Sequence, residues 1–508
     1  MDLISGIFSY SEDSPMLFTR FYFWGFLFLL MLLYSTVYRK NSLRNAYLFF
    51  MSLFFYYKSG GYFFSLLVFS TIVDYLLGHL IYGAKTKYLK KFFLSISVVI
   101  NLGLLAYFKY AYFLVDMLNH AAESDLQVVN FLSLWYNSLF GGSMDVSVII
   151  LPVGISFFTF QTISYTVDVY RRKLKPVRNI IDFGFYVSFF PQLVAGPIVR
   201  AAEFIPQLYT SFRLTIQEMG HAVFLIISGL VKKMMISDYI SVNFVDRVFD
   251  NPLSYTGFEN MMAIYGYSVQ IYCDFSGYTD IAIGVALLLG FRLPVNFNSP
   301  YKALNISDFW RRWHISLSSW LRDYLYIPLG GNRKGLLRTY ANLFITMLLG
   351  GLWHGADLRF LLWGGMHGLA LAIHKLWDTL FPSRSRIKTH LDGVRRFISL
   401  FLTFQFVSFT WLFFRAESMQ VMTDMVSRIF YSFEAVRIPE IILAYRTVFS
   451  IIIITLIIHW LPSGFKESCR GFFIRTNPVI KVIIVVLVVF LIFQVKSAKI
   501  QPFIYFQF

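Results

Sequence analysis

Charged residues are scarce in this chain of 508 residues: Asp, Glu, Lys and Arg together make up 14% of it, about half the share of an average soluble domain. Cysteine is rarer still, with only Cys273 and Cys469, so we expect no metal cluster and at most one disulfide. The low charge excludes a soluble enzyme and a disordered chain, and the lack of cysteine excludes a secreted disulfide scaffold.

Familiar catalytic motifs are also missing. The sequence has no G-x-S-x-G, HExxH or CxxC pattern. The glycine-rich stretch 328–335 is not a P-loop, because Leu336 and Leu337 stand where Lys and Ser or Thr belong. An H-x4-D pattern joins His120 to Asp125, but it falls in an acidic loop predicted to lie outside, away from any cytoplasmic thioester.

Apolar residues dominate what is present: 57% of the chain is hydrophobic and 19% aromatic. No soluble core could hold that much apolar surface and leave enough polar residues to cover it. The composition therefore predicts an integral membrane protein that contacts the lipid bilayer along many spans. The net charge of +17 fits basic residues in cytoplasmic loops. A charge of this size is also typical of nucleic-acid-binding proteins, but we expect no nucleic-acid binding here.

Runs long enough to cross a bilayer recur along the chain, and we expect about eleven to thirteen membrane segments at ~20 residues each. The stretch 183–199 contains Pro191, Gly196 and Pro197 and is predicted to be broken or re-entrant. The candidate spans are 21–37, 62–82, 92–115, 146–167, 261–290, 340–352, 360–376, 397–414, 448–461 and 479–495, with 46–57 and 222–236 as shorter runs.

Basic residues set the predicted orientation. Arg39, Lys40 and Arg44 follow the first run and indicate an outside N-terminus, and the basic groups at 85–91 and 171–178 are predicted inside. The last run then leads the C-terminus outside. We find neither a repeat nor a soluble domain, and we expect one membrane-embedded domain over residues 1–508.

Residues 261–375 break the apolar pattern three times, and ionisable groups at membrane depth usually mark function. The first break places Asp274, Ser276 and Asp280 inside an apolar run. Both aspartates must face a polar interior or stay protonated, because a bare carboxylate in lipid costs several kcal/mol. Alternatively, they pair with Lys or Arg of other helices and hold the bundle together.

The second break predicts an amphipathic helix at the cytoplasmic interface. Ser307 suits its N-cap, Trp310 and His314 share one face at i, i+4, and Arg311 and Arg312 would point toward phosphates. Interfacial anchoring explains the tryptophans of this helix, but it does not explain His314 as well.

The third break puts Trp353 and His354 between glycines at the end of an apolar run. A lone histidine on an apolar helix is usually a satisfied core residue. Here His314, His354 and His367 fall in the most polar membrane-embedded part of the chain, and a neutral imidazole in a dry cavity is a natural general base.

Four runs closely resemble the membrane-bound O-acyltransferase (MBOAT) family, in particular its bacterial branch, typified by the alginate O-acetylation membrane protein. The resemblance covers nearly the whole chain and is weakest over the first forty residues and 382–478. It implies a ring of tilted helices around a central tunnel, with the donor entering from the cytoplasm and the acceptor from outside. The runs are 190–200 (FPQLVAGPIVR), 274–280 (DFSGYTD), 308–320 (DFWRRWHISLSSW) and 350–355 (GGLWHG).

The resemblance also implies roles for residues within the core motifs, 146–376. His354 matches the catalytic histidine and would deprotonate the acceptor hydroxyl, and His314 matches a second functional histidine that would orient a substrate or stabilise charge. Basic residues at the cytoplasmic mouth of the tunnel could hold the phosphates of the donor, although the preference of basic residues for the cytoplasmic side explains them equally well. The candidates for donor binding are Arg311, Arg312, Arg333 and Lys334, and the polar tunnel candidates are Asp274, Ser276, Asp280 and Trp353.

The resemblance implies an enzyme of the bacterial cytoplasmic (inner) membrane that moves an acyl group across it. The acyl group expected is acetyl, and the donor is a cytoplasmic thioester such as acetyl-CoA. Its acceptor would be a hydroxyl of a cell-surface polysaccharide or peptidoglycan, and an exported SGNH-type partner would complete the transfer. No bound cofactor or metal is expected beyond the donor substrate. The alternatives are D-alanyl transfer from a carrier protein to teichoic acid, and a polysaccharide or lipid transporter.

The final residues, 502–508 (PFIYFQF), form an aromatic C-terminal motif whose apolar surface seeks burial. Membrane-interface anchoring is one interpretation. The motif also resembles the C-terminus of the small single-span partner in the D-alanylation system, whose tyrosine is proposed to accept the acyl group. Tyr505 is therefore a candidate acyl acceptor, since a phenolate, with a pKa of ~10 for its phenol, leaves more readily than an alkoxide.

Overall fold

The computed structural model describes residues 9–11, 14–143, 145–193, 196–381 and 392–495. The described residues form helices and connecting segments, with no strand among them. They pack as two compact units. The first takes in the described residues up to 193 with Ile198–Phe212 and Gly355–Asp357, and the second takes in the others. Cys273 is buried, Cys469 is exposed, and both are free thiols.

The first unit holds helices α1 to α10. A 3-10 turn, Gly61–Phe63, joins α2 to α3, and a π-helical turn, Ala106–Tyr110, joins α4 to α5. The helices are α1 (Phe21–Val37), α2 (Asn41–Gly60), α3 (Phe64–Gly83), α4 (Lys87–Leu105), α5 (Ala111–Ala122), α6 (Phe131–Phe140), α7 (Ile155–Tyr170), α8 (Ile180–Ser188), α9 (Phe190–Leu193) and α10 (Ala201–Leu208).

A polar network ties α3, α4 and α7 together inside this apolar unit. The buried carboxylate of Asp74 accepts hydrogen bonds from Ser97 (2.5 Å) and Asn101 (2.7 Å), and Thr162 donates to Asn101 (2.9 Å). Each polar group thus finds its partner within protein, as a low-dielectric surrounding requires.

The second unit holds α11 to α24 and every described residue of the candidate site. Its longest helix, α14, starts with a capping box in which Thr256 and Glu259 satisfy each other's backbone N–H groups. The helices are α11 (Ile216–Leu230), α12 (Asp238–Ile240), α13 (Asp246–Asp250), α14 (Gly257–Leu288), α15 (Ile306–Trp310), α16 (Ile315–Leu321), α17 (Leu336–His354), α18 (Leu358–Leu380), α19 (Asp392–Arg415), α20 (Met419–Tyr431), α21 (Ile438–Ala444), α22 (Arg446–Trp460), α23 (Ser463–Arg475) and α24 (Pro478–Val495).

Six helical stretches of the described chain are long and apolar enough to cross a membrane, and a pair bent by 89° would make a seventh. The all-α polytopic class predicted from the sequence is therefore confirmed. The predicted count of eleven to thirteen also took in shorter, broken and more polar helices that fall below this length and apolarity. The six are Asn41–Gly83, Lys87–Ala122, Ile216–Asp250, Gly257–Leu288, Gly393–Arg415 and Pro478–Val495, and the bent pair is Ala435–Ala444 with Arg446–Trp460.

Two predicted segments take a form that the sequence explains. The run 146–167 becomes helical only at Ile155, because Pro152 lacks a backbone donor and Gly154 lies in the left-handed region (φ 74°). The stretch 183–199 is broken as expected: α8 ends at Ser188, and one short turn, α9, follows it.

Helices α17 and α18 cross with their backbones almost in contact. A Cβ atom at Gly351 would lie 2.2 Å from the carbonyl oxygen of Phe360, and one at Gly364 would lie 2.4 Å from that of Met347. Small residues at such a crossing let two helices approach closely. This contact brings the side chain next to Gly364, Trp363, against the end of α17.

We predict that Gly364→Ala separates these helices and destabilises the protein by about 1–3 kcal/mol, although alanine favours helix by about 1 kcal/mol. Gly365→Ala is the matched control, because its Cβ would meet no atom closer than 3.8 Å. Thermal unfolding of both detergent-purified variants tests this. Equal stability of the two variants would contradict the close crossing.

Candidate active site

His354 is the last residue of α17 and is buried in an aromatic enclosure. Its imidazole lies edge-on to three rings, with centroid separations of 4.9 Å to Trp353, 5.1 Å to Trp363 and 5.2 Å to Phe414. These rings come from α17, α18 and α19. Apolar walls around an imidazole exclude water, which strengthens any hydrogen bond that the ring makes with a substrate.

His314 lies where the predicted interfacial helix breaks. Instead of one helix, α15 ends at Trp310 and α16 begins at Ile315, because His314 takes the left-handed conformation (φ 43°, ψ 54°). The N-cap of α15 is Asn305, whose side chain accepts from the backbone N–H of Asp308, and not Ser307 as expected. The i, i+4 pairing of Trp310 with His314 is therefore wrong.

Asn296 holds this unusual backbone in place. Its buried Oδ1 lies 3.2 Å from His314 Nδ1 and accepts from the backbone N–H (3.1 Å) and hydroxyl (2.9 Å) of Ser316. Its own carbonyl accepts from the N–H of Ile315 (3.0 Å). A non-glycine residue in this region costs about 1 kcal/mol or more, and these four bonds offset that cost.

The hydrogen bonds to Asn296 determine which ring nitrogen of His314 carries the proton. Because the backbone N–H of Ser316 can only donate, the Asn296 atom that it contacts is the oxygen, and His314 must donate from Nδ1. In the neutral ring, the lone pair then resides on Nε2. His314 lies outside the membrane-spanning helices, and burial lowers its pKa to about 3, so the neutral ring is the form present near neutral pH.

Trp353 brings the two histidines into one cluster. Its indole centroid lies 4.9 Å from the ring of His354 and 6.2 Å from the ring of His314. Phe275 of α14 closes the other side of His314 at 4.7 Å. Two sequence-predicted catalytic residues and one predicted tunnel residue thus share one buried aromatic cluster.

His367, the third histidine of the sequence pattern, serves a different purpose. Its Nδ1 accepts from the indole N–H of Trp310 (3.3 Å), and its Nε2 lies 3.0 Å from Thr410 Oγ1, whose hydroxyl donates to the Val407 carbonyl. Since the indole N–H of Trp310 can only donate, Nδ1 of His367 must accept and carries no proton. His367 is therefore neutral, with its proton on Nε2. Both nitrogens are occupied, so His367 positions Trp310 and packs on Trp363 (4.8 Å).

Asp274 and Asp280, the two aspartates of α14, are ion-paired. Lys233 reaches Asp274 (2.5 Å) and Asp238 (2.8 Å), and Lys232 reaches Asp280 (2.5 Å). This pairing matches the structural alternative weighed for Asp274 and Asp280. Both lysines sit on a π-helical turn, Val231–Ser237, and a turn of this kind re-aims side chains that a regular helix would place elsewhere.

The basic candidates for donor binding separate in the structure. Arg312 pairs with Asp308 (2.8 Å), Arg311 is exposed beside a surface cleft, and Arg333 and Lys334 are exposed in the turn before α17. Ser276 is buried on α14. The C-terminal motif, with Tyr505, lies outside the described residues, so its acyl-accepting role stays a prediction.

Sequence reasoning missed the residues that support the histidines. Asn296, Trp363, Phe414 and Thr410 act from other parts of the chain, and none has a spacing to His314 or His354 that marks a motif. The only sequence signal is polarity or bulk inside apolar stretches.

Comparisons with known proteins show the family to which this sequence belongs. The chain matches the sequence model of MBOAT, membrane-bound O-acyltransferase family, over residues 84–412. It is 36% identical over 448 residues to "Probable alginate O-acetylase AlgI" of Pseudomonas putida, with 84% of this chain and 86% of the relative covered. It is 37% identical over 410 residues to a peptidoglycan O-acetyltransferase of Helicobacter pylori (75% and 73% covered). A teichoic acid D-alanyltransferase of Bacillus subtilis is 27% identical over 282 residues (52% and 69% covered).

The described fold is that of a polytopic membrane protein with a buried cluster of histidines. The chain belongs to the membrane-bound O-acyltransferase family. It is a membrane-bound O-acyltransferase, and the names of its relatives support acyl transfer to a polymer of the cell envelope.

We predict that Asn296→Asp moves the loss of activity on acidification to higher pH by about 1–2 units. The new carboxylate beside Nδ1–H stabilises the charged ring and raises the pKa of His314, so the neutral form is lost earlier as the pH falls. The pH profile of acyl transfer tests this. Asn298→Ala is the control, because Asn298 bonds Arg312 through its backbone alone, and an unchanged Asn296→Asp profile would contradict a need for neutral His314.

We predict that Thr410→Val leaves the Nε2–H of His367 buried without an acceptor and costs about 1–3 kcal/mol of stability. It should also lower kcat without changing the donor KM, because the wall around His354 loosens. Thr403→Val on the same helix is the control, since that hydroxyl bonds only a backbone carbonyl of its own helix. Equal kcat values for the two variants would contradict a role of Thr410 and His367 in positioning the rings around His354.

Proposed function

We propose that this enzyme lies in a bacterial cytoplasmic membrane and moves an acetyl group across it from a cytoplasmic thioester, acetyl-CoA. The final acceptor is a hydroxyl of a cell-surface polysaccharide or peptidoglycan. The packing of His314 and His354 against one indole, that of Trp353, carries the proposal. An exported SGNH-type protein completes the transfer on the far side.

In the proposed reaction, His354 accepts the proton of the acceptor hydroxyl while the hydroxyl oxygen attacks the thioester carbonyl carbon. The carbon–sulfur bond then breaks, the acyl carbon keeps the new ester bond, and the leaving thiolate takes the proton from His354. The position of His354 at the C-terminus of α17 supports this role, because the partial negative charge of a helix end stabilises a proton held there.

His314 acts as a fixed polar group in the same pocket. Its Nδ1–H is committed to Asn296, so in the proposed reaction Nε2 accepts a hydrogen bond from the acceptor hydroxyl and orients it toward the thioester. Orientation of a reactant within a dry pocket lowers the barrier without a second proton transfer.

The D-alanylation alternative has weaker support. The teichoic acid D-alanyltransferase is 27% identical to this chain and matches 52% of it, against 36% and 84% for the alginate relative. A transporter would not need two histidines on one indole, and its activity would survive the loss of His354.

We predict that His354→Ala abolishes acetyl transfer from labelled acetyl-CoA in inverted membrane vesicles, which expose the cytoplasmic face. The protein should still accumulate in the membrane, because the substitution removes one ring and leaves the close backbone contact between α17 and α18 unchanged. Sealed right-side-out vesicles carrying the unaltered protein should not consume the label.

His79→Ala is the matched control, since His79 lies in the first unit and bonds only the Tyr75 carbonyl of its own helix. Normal transfer by His354→Ala would overturn the catalytic role. Transfer that requires a D-alanyl carrier protein in place of acetyl-CoA would establish the alternative.

A further inference from the structure

One carboxylate of the first unit is fully buried without a positive partner. The two oxygens of Asp74, on α3, accept from Ser97 and Asn101 of α4, which are both neutral. Within the described part of the chain, this carboxylate belongs to no ion pair. Helices α3 and α4 lie within Asn41–Gly83 and Lys87–Ala122, two of the stretches long and apolar enough to cross a membrane.

The contacts of Asp74 are those of an ionised carboxylate. The amide nitrogen of Asn101 donates to the backbone carbonyl of Ser97 (3.0 Å), which fixes the orientation of the amide, and it also donates to Asp74 Oδ2 (2.7 Å). The hydroxyl of Ser97 lies 2.5 Å from Oδ1, within the range of a charge-assisted O–H···O⁻ bond. These neutral donors satisfy the lone pairs of the carboxylate, but they supply no positive charge.

The aspartates of the second unit show how a carboxylate is ordinarily balanced at this depth. Asp274 and Asp280 pair with lysines, and Asp246 pairs with Arg415 (2.9 Å). A single negative charge inside a membrane protein is costly when no positive charge accompanies it. Either a proton or a cation must therefore neutralise Asp74.

Oxygen atoms of three helices surround this carboxylate. Asn101 Oδ1 accepts from the hydroxyls of Ser70 (3.1 Å) and Thr162 (2.9 Å). Ser97 Oγ lies 3.0 Å from Thr166 Oγ1. All of these side chains are buried. The set offers one carboxylate, one amide oxygen and four hydroxyl oxygens, which are oxygen ligands of the kind that hard cations take.

Thr159 adds a hydroxyl that the described residues leave unengaged. Its side chain is 1% exposed, and its Oγ1 has no hydrogen-bond partner in the described part of the chain. It lies on the same face of α7 as Thr162 and Thr166, at the spacing i, i+3 and i+7. A buried hydroxyl without a partner is costly, and a cation beside Asp74 would give this oxygen a group to bind.

We propose that Asp74 and the surrounding oxygens of α3, α4 and α7 bind a sodium ion, which neutralises the carboxylate and holds the three helices together. One carboxylate among neutral oxygens balances one positive charge, whereas a divalent ion would leave a positive excess. Neighbouring oxygens of the set lie 2.5–3.1 Å apart, and this close spacing favours sodium over the larger potassium ion. The inference does not depend on which acyl group the enzyme transfers.

The test measures binding of radioactive sodium to the purified full-length protein in nanodiscs, with N-methylglucamine as the other cation. We expect saturable binding of one ion per chain, which unlabelled sodium displaces better than potassium does. Asp74→Asn keeps the shape of the side chain, removes its charge and should abolish binding. Ser97→Ala removes one oxygen and should weaken binding about tenfold or more.

Asp182→Asn is the matched control, because Asp182 is a buried aspartate of the same unit that accepts from Asn45 (2.9 Å), a neighbour of the cationic Arg44. This variant should bind sodium as the unaltered protein does. Sodium should also raise the unfolding temperature of both, but not that of Asp74→Asn.

Two results would overturn the proposal. If the unaltered protein binds no sodium, a proton and not a metal ion neutralises Asp74. If sodium binding persists in Asp74→Asn, the ion lies elsewhere in the protein. The measurement on the unaltered protein does not depend on the folding of any variant.

Discussion

One oxygen atom, Oδ1 of Asn296, holds the geometry on which the rest of the site depends. It lies in hydrogen-bonding range of His314 and accepts two further bonds from Ser316, so that a backbone conformation disfavoured for histidine becomes the stable one. The break between α15 and α16 follows from it. With that break, Trp310 turns toward His367 in α18, while His314 turns toward Phe275 and Trp353.

The same requirement appears throughout the described chain: a polar group among apolar neighbours must find its partner within the protein. Lys233 meets it with two aspartates, and Asp74 meets it with a serine and an asparagine. His367 meets it with a donor on one side and an acceptor on the other. Each of these hydrogen bonds and ion pairs restricts the rotation of the side chains that form it. The partners that buried polar groups require therefore also make the structure rigid.

Sequence patterns predicted the helices whose signal is local. The runs 261–290, 397–414 and 479–495 correspond to α14, α19 and α24, because an apolar run of that length has few other stable forms in a membrane protein. His314 and His354 were found through motifs and polarity. Asn296 was not, since its importance comes from contacts with residues distant in sequence. The left-handed backbone at His314 was missed for the same reason: local propensity favours a continuous helix, and tertiary contacts override it.

The indole of Trp353 lies against both histidines, and this contact has a consequence for the energetics of turnover. An indole has one N–H that only donates and no lone pair to accept a proton, so Trp353 itself cannot relay a proton from one imidazole to the other. In the proposed mechanism, the proton that His354 takes up leaves with the thiol, and His314 keeps its own proton on Nδ1. In that mechanism the site returns to its starting charge in every cycle, and acyl transfer would not draw on the proton gradient across the membrane.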